Sequence, residues 1–238
     1  MSFLTLENLS FRIGEWELAV SLTLGQGECL AVIGPSGAGK STLLSLISGF
    51  DQPARGRIIV DGQAIDHLRP ASRPVTMMFQ ENNLFNHLTL YENIALGCDP
   101  GLKLNQNDRL QIESALAATE LSNLANRLPG DVSGGERQRA ALARCLCQKR
   151  PLLLLDEPFA NLDPRLRHQM HELVNTLRQA HGLTVIVVSH MPSEIAQIAD
   201  QVLFLHNGRV LESGRSERVL ANPCSPELTE YLNFTRTD

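Results

Sequence analysis

Three glycines precede a lysine and two hydroxyl side chains in Gly34-Pro35-Ser36-Gly37-Ala38-Gly39-Lys40-Ser41-Thr42. Lacking Cβ atoms, glycines allow several backbone N–H groups to turn toward one anion. The spacing G-x-x-x-x-G-K-[ST] is that of a P-loop. Its backbone wraps nucleotide phosphates, its lysine (Lys40) reaches the β- and γ-phosphates, and its Ser41 hydroxyl ligates Mg²⁺. A carboxylate pair, Asp156-Glu157, ends the apolar run Leu152-Leu153-Leu154-Leu155. Two adjacent acids at that place suit two tasks. Asp156 can hold Mg²⁺ through water, and Glu157 can polarise an attacking water as general base. Third, Ser133-Gly134-Gly135-Glu136 opens a helical pattern that runs to about Cys147. Ser133 and Glu136 have capping-box spacing, which alone accounts for a helix start. A helix N-terminus with two glycines is also an anion site.

These groups need a scaffold that holds them together. Glu28 to Ile33 and Pro151 to Leu155 are apolar throughout, as expected of parallel strands buried on both faces. Helical spacing follows from Lys40 to Ile47, so phosphate would lie on a helix N-terminus. Residues 1–27 read as two antiparallel strands, Gly56 to Gly62 as a strand ending in an Asp-Gly turn, and 165–181 as a helix following Pro164. Gln201–Leu205 and Arg209–Glu212 flank His206-Asn207-Gly208, a hairpin signal.

Together the P-loop, the Ser-Gly-Gly-Glu motif and the Asp-Glu strand resemble the ATP-binding cassette (ABC) ATPases. The resemblance implies an α/β fold: a P-loop NTPase core with a parallel sheet, an N-terminal antiparallel β subdomain and an inserted helical subdomain. The implied organisation is one domain over 1–238, with 1–87 and 151–238 forming the nucleotide-binding core and 88–150 the helical subdomain. It implies ATP and Mg²⁺ as ligands. It also implies a head-to-tail homodimer, in which Ser133, Gly134, Gly135 and Glu136 meet the γ-phosphate of ATP held by the other subunit. Val132 and Glu136 depart from the usual leucine and glutamine. By the same resemblance Gln80 senses Mg²⁺ and water and connects to a membrane partner, and His190 holds the γ-phosphate. Asp163, in Asn161-Leu162-Asp163, crosses the dimer interface. An aromatic should stack on adenine; Phe11 has the family's spacing, with Trp16 as competitor.

Within the family, Phe79-Gln80-Glu81-Asn82-Asn83-Leu84-Phe85-Asn86-His87-Leu88-Thr89-Leu90 and the stretch from Asn93 to Asn105 are similar to the ATPases of bacterial thiamine importers. That implies integral membrane permease subunits, a periplasmic thiamine-binding protein acting upstream, and a peripheral place on the cytoplasmic face of the inner membrane. No physical argument selects the cargo, so iron, sulfate and polyamine importers stay open. A soluble ABC ATPase acting on DNA or ribosomes is the other alternative, although this chain carries no long coiled coil, second cassette or basic tail. A net charge of −5 over 238 residues gives no footprint for nucleic acid. No stretch reaches the ~20 apolar residues that span a bilayer, and the N-terminus has no signal-peptide pattern. The five cysteines (Cys29, Cys98, Cys145, Cys147, Cys224) form no C-x-x-C pair and read as reduced thiols, with Cys145 and Cys147 on different helix faces.

Overall fold

The computed structural model describes residues 2–81, 83–160 and 162–234. Strand β1 (Ser2–Ile13) and strand β2 (Trp16–Gly25) form a hairpin, followed by β3 (Cys29–Ile33) and helix α1 (Lys40–Ser48). Next come β4 (Arg55–Val60), β5 (Gln63–Ala64), β6 (Val75–Met78), and helices α2 (Leu90–Ala95), α3 (Gln106–Ala118) and α4 (Gly134–Cys147). The chain then runs through β7 (Leu152–Asp156), α5 (Pro164–His181), β8 (Thr184–Val188), α6 (Pro192–Ile195), β9 (Gln201–His206), β10 (Arg209–Arg215), α7 (Ser216–Ala221) and α8 (Pro226–Phe234).

Among the described residues the strands join in one mixed sheet of ten, ordered β5-β4-β1-β2-β10-β9-β3-β8-β7-β6. The half β9-β3-β8-β7-β6 is parallel, and β4 and β5 with the β1–β2 hairpin are antiparallel. The two halves meet where β10 runs parallel to β2 at the pair Arg209↔Ala19. The antiparallel unit expected at the N-terminus is thus continuous with the parallel sheet.

Alternation along β3 explains the layers. Cys29, Ala31 and Ile33 face a core shared with α4, α5 and α8. Leu30 and Val32 face a second core built on α1 and the antiparallel strands. A third cluster gathers Leu90, Ile94, Ile112, Leu116 and Val132 around α2, α3 and α4. Helix α4 belongs to two cores: Ala141, Leu142 and Cys145 lie in the first, and Ala140, Ala143 and Cys147 in the third. The cysteines are free thiols, of which Cys29, Cys145 and Cys147 are buried. Among the described residues, no helix is long and apolar enough to cross a membrane.

The C-terminal end of α1 is held by a feature that has no sequence signal. Arg73 is fully buried, and its guanidinium donates to four carbonyls: Leu46 O at 2.6 Å, Ile47 O at 2.9 Å, Leu68 O at 3.0 Å and Asp66 O at 2.9 Å. The last carbonyls of a helix have no intrahelical partner, and a cation there also meets the negative end of the helix dipole. Replacing Arg73 leaves those acceptors buried and unpaired. Arg73→Met is expected to lower unfolding stability by roughly 3 kcal/mol, read as a lower urea midpoint at unchanged slope.

Candidate nucleotide-binding site

The loop between β3 and α1 is shaped by two close approaches. A Cβ on Gly34 (φ 149°) would lie 2.0 Å from the Leu205 carbonyl oxygen of β9, and one on Gly39 (φ 105°) would lie 2.8 Å from the Trp16 ring. Both positions therefore demand glycine for space and for backbone conformation. Behind the loop, Ala38 N–H donates to Pro35 O (3.2 Å), and Gly208 N–H donates to Ala38 O (3.1 Å). Lys40 is buried; its Nζ donates to Gly34 O at 2.8 Å and Pro35 O at 2.9 Å, so the loop's own carbonyls hold the ammonium at the cradle. Burial pushes its pKa down, against the opposing pull of Glu157 and Asp156.

In front lies an open cavity of about 670 Å³. Ser36, Gly37, Gly39, Lys40, Ser41 and Thr42 form its floor, with Gln80, Glu157 and His190 on one side. Gly34, Pro35 and Ala38 shape the loop from behind. Ser41 Oγ donates to Asp156 Oδ1 at 3.4 Å. Burial raises the Asp156 pKa, and the Ser41 hydrogen bond only partly offsets this. A hydroxyl and a carboxylate beside a glycine-rich helix N-terminus are hard oxygen donors of the kind that suit Mg²⁺, which normally completes its shell with water and phosphate oxygens. Among the described residues, no cluster of three or more His, Cys, Asp and Glu side chains could hold a metal without such help.

Glu157 takes up the left-handed conformation (φ 48°), uncommon for a residue with a side chain and costing on the order of 1–3 kcal/mol. Its N–H donates to Val188 O (3.1 Å), and its carbonyl accepts from Ala160 N–H (3.2 Å), which fixes this turn of the chain. Two side chains converge on its carboxylate: Gln80 Nε2 donates to Oε2 at 3.2 Å, and His190 Nδ1 lies 3.6 Å from the same oxygen. The three come from the ends of β6, β7 and β8, neighbours in the parallel sheet. They surround space facing the P-loop, which is the arrangement a general base needs beside a phosphoryl group.

Trp16 and Ile13 line the cavity on the hairpin side. They are directly paired across β1 and β2, as are Phe11 and Leu18, so all four share one face of the hairpin. Phe11 sits one step further from the turn, packs against the second core and is not among the lining residues. Trp16, the competitor in the sequence reading, is the aromatic at the cavity. Ile13 is not named in the sequence reading; the signal available there is an isoleucine two residues from Phe11 and next to Gly14.

Ser133, Gly134, Gly135, Glu136 and Asp163 are not among the residues lining this cavity. Ser133 caps α4 in a complete capping box: its N–H and hydroxyl donate to Glu136 Oε2 at 2.7 and 2.8 Å, and Glu136 N–H donates to Ser133 Oγ at 3.3 Å. Those bonds hold the Glu136 carboxyl below its ordinary pKa, so it carries charge. Asp163 caps α5, accepting from Arg165 N–H (3.0 Å) and Leu166 N–H (3.1 Å); Asn161 lies outside the described residues. A link unforeseen from sequence joins these segments: Gln138 Nε2, on α4, donates to Ala160 O at 3.1 Å.

Comparison with known proteins agrees with this geometry. Residues 18–160 match the family model described as ABC transporter. The chain is 46% identical to the thiamine import ATP-binding protein ThiQ of Brucella suis, with 98% of this chain and 96% of that protein aligned. It is also 46% identical to ThiQ of Shigella boydii, over 93% and 96%. In three dimensions it resembles a nucleotide-free ATP-binding cassette from an ABC transporter (TM-score 0.89, 26% identity, 97% and 98% coverage). It also resembles a dimeric post-hydrolysis cassette bound to ADP and Pi (TM-score 0.77, 28% identity, 90% and 98% coverage).

The close contact at Gly39 makes a specific demand. Gly39→Ala is expected to cost about 1–3 kcal/mol of stability, measured by urea unfolding. Adding Trp16→Ala should recover the part due to the clash and leave the part due to positive φ.

Proposed function

This chain belongs to the ABC transporter family, and on that premise we propose that it is the ATP-hydrolysing subunit of a thiamine importer. The observation that carries the hydrolytic reading is the convergence of Gln80 and His190 on the Glu157 carboxylate, at the wall of a cavity floored by Lys40, Ser41 and Thr42. The cargo reading rests on the ThiQ relatives aligned over nearly the whole chain.

In this reading Gly34 to Thr42 wrap the phosphates of ATP, and Lys40 compensates the charge that builds on the β–γ bridge. Trp16 offers its ring to adenine, with Phe11 behind it. Mg²⁺ would be held by Ser41 and Asp156, with Gln80 alongside, and would neutralise phosphate charge. Glu157 takes the proton from the attacking water, and His190 steadies the γ-phosphate and orients the carboxylate. Ser133, Gly134, Gly135, Glu136 and Asp163 serve the ATP of a second copy, in keeping with their place outside this chain's own cavity and with the dimeric relative. The division into a nucleotide-binding core (1–87 and 151–238) and a helical subdomain (88–150) gives the two parts whose relative motion would be transmitted.

Permease subunits would dock on the Glu81–Leu88 segment. Its attachments support a coupling role. Fully buried Asn93 donates to the carbonyls of Phe85, Leu88 and Thr89 (each 3.0 Å) and accepts from Phe85 N–H (2.7 Å). Arg144 of α4 donates to Asn83 O at 2.8 Å. The segment is thereby fixed to the helical layer, while Gln80, the residue just before it, touches Glu157; Asn82 lies outside the described residues. A periplasmic thiamine-binding protein would deliver cargo to the permease, and the ATPase would sit on the cytoplasmic face of the inner membrane.

Glu157→Gln is expected to cut phosphate release on the order of 10²–10⁴-fold with ATP still bound, as compared in turnover and equilibrium-binding assays. Retained turnover would remove Glu157 from the base role. Labelled thiamine uptake should be restored by the wild-type chain, and not by Glu157→Gln, in cells deleted for this chain and lacking a second importer. Normal uptake in the deletion strain would sink thiamine as cargo while leaving the ATPase reading intact.

A further inference from the structure

The hydrolytic site draws on a residue far from any of its motifs. Helix α8 is anchored in the first core by Leu228 and Leu232. From it the half-buried Tyr231 reaches toward the β8–α6 loop, and its hydroxyl donates to the carbonyl of His190 at 3.0 Å. The N–H of the same peptide unit, that of Met191, donates to Ser189 Oγ at 3.1 Å. Both polar ends of the His190–Met191 peptide are therefore pinned, one from a distant helix and one from the preceding residue. A pinned peptide plane fixes ψ of His190, and with it the direction in which the imidazole leaves the chain. That imidazole is exposed to the cavity and has Nδ1 3.6 Å from Glu157 Oε2.

Tyr231 is held in turn. Its ring lies 5.5 Å, centroid to centroid, from that of Phe204, and Phe204 pairs across the sheet with Ile33, the residue before the P-loop. Burial pushes the hydroxyl's pKa up to about 12, against a backbone hydrogen bond from Gly34 and with the Glu157 charge adding to the rise. The phenol thus stays protonated, able to donate, and stands between the first P-loop residue and the His190 loop.

We infer that Tyr231 is a positioning residue for hydrolysis, one that aims His190 by clamping the His190–Met191 peptide from the C-terminal helix. The inference rests on the reading of this chain as an ATPase in which His190 serves the γ-phosphate. A single hydrogen bond acting through one side chain should govern kcat and spare ground-state nucleotide binding.

The test is a double-mutant cycle on the purified full-length chain, with Mg-ATP turnover followed as radiolabelled phosphate release. Tyr231→Phe keeps the ring and removes the donor. It should lower kcat about three- to tenfold and leave KM for ATP within about twofold. In a His190→Ala background the same change should have no further effect, because the group being aimed is gone. Ser189→Ala, which releases the other end of the peptide, should reproduce the kcat loss, which guards against a folding artefact of one variant. Wild-type kcat in Tyr231→Phe, or an undiminished effect on top of His190→Ala, would overturn the positioning role and leave the ATPase reading standing. A wild-type chain that does not hydrolyse ATP would overturn both.

Discussion

Everything in this site depends on where helix α1 stands, because its N-terminal residues Lys40, Ser41 and Thr42 line the cavity. Its position is over-determined. At the N-terminal end, Gly34 abuts the β9 carbonyl of Leu205 and Gly39 abuts Trp16, contacts that leave no room for a methyl group. At the C-terminal end, buried Arg73 gathers the Leu46 and Ile47 carbonyls. Along its length Leu43, Leu44, Leu46 and Ile47 are fully buried. A helix so pinned presents its N–H groups and Lys40 at fixed places before any ligand arrives, so binding need not order them. Preorganised donors of this kind are the main way in which enzymes stabilise charge that develops during phosphoryl transfer.

The opposite wall is built by topology. Strands β6, β7 and β8 run side by side in parallel, so the residues just past their C-terminal ends meet in space although they lie far apart in the chain. Gln80, Glu157 and His190 are those residues. The left-handed backbone of Glu157 turns the chain sharply after Asp156 and separates two adjacent carboxylates into two environments: one buried beside Ser41, the other reached by Gln80 and His190. Like charges one residue apart can then take different tasks.

Much of this was legible in the sequence, for local reasons. The apolar runs of β3, β7 and β8, the glycine spacing before Lys40, the capping box at Ser133 and the Asn207-Gly208 turn each encode their structure within a few residues. What escaped notice is carried by side chains whose partners are remote in sequence. Arg73 caps a helix about 26 residues upstream. Gln138 bonds to Ala160 across 22 residues, and Tyr231 bonds to the His190 carbonyl across 41. No periodicity announces such contacts. The choice between Phe11 and Trp16 stayed open for a related reason: spacing favoured Phe11, whereas the hairpin register, which spacing does not give, puts Trp16 nearer the turn and so at the cavity. The continuity of the sheet also depends on a long-range pairing, between β10 and β2.

That pairing has a mechanical side. The antiparallel wing carrying Ile13 and Trp16 is sewn to the rest of the sheet by a short seam, the pair Arg209↔Ala19 with Ala19 N–H donating to Gly208 O at 2.8 Å. Its Leu4, Leu6 and Leu18 also belong to the apolar core that includes the buried face of α1. Side-chain packing resists compression well and shear poorly, whereas a hydrogen-bonded ladder resists both. The wall that carries Ile13 and Trp16 is therefore the compliant jaw of the cavity, and the floor built on α1 is the anvil.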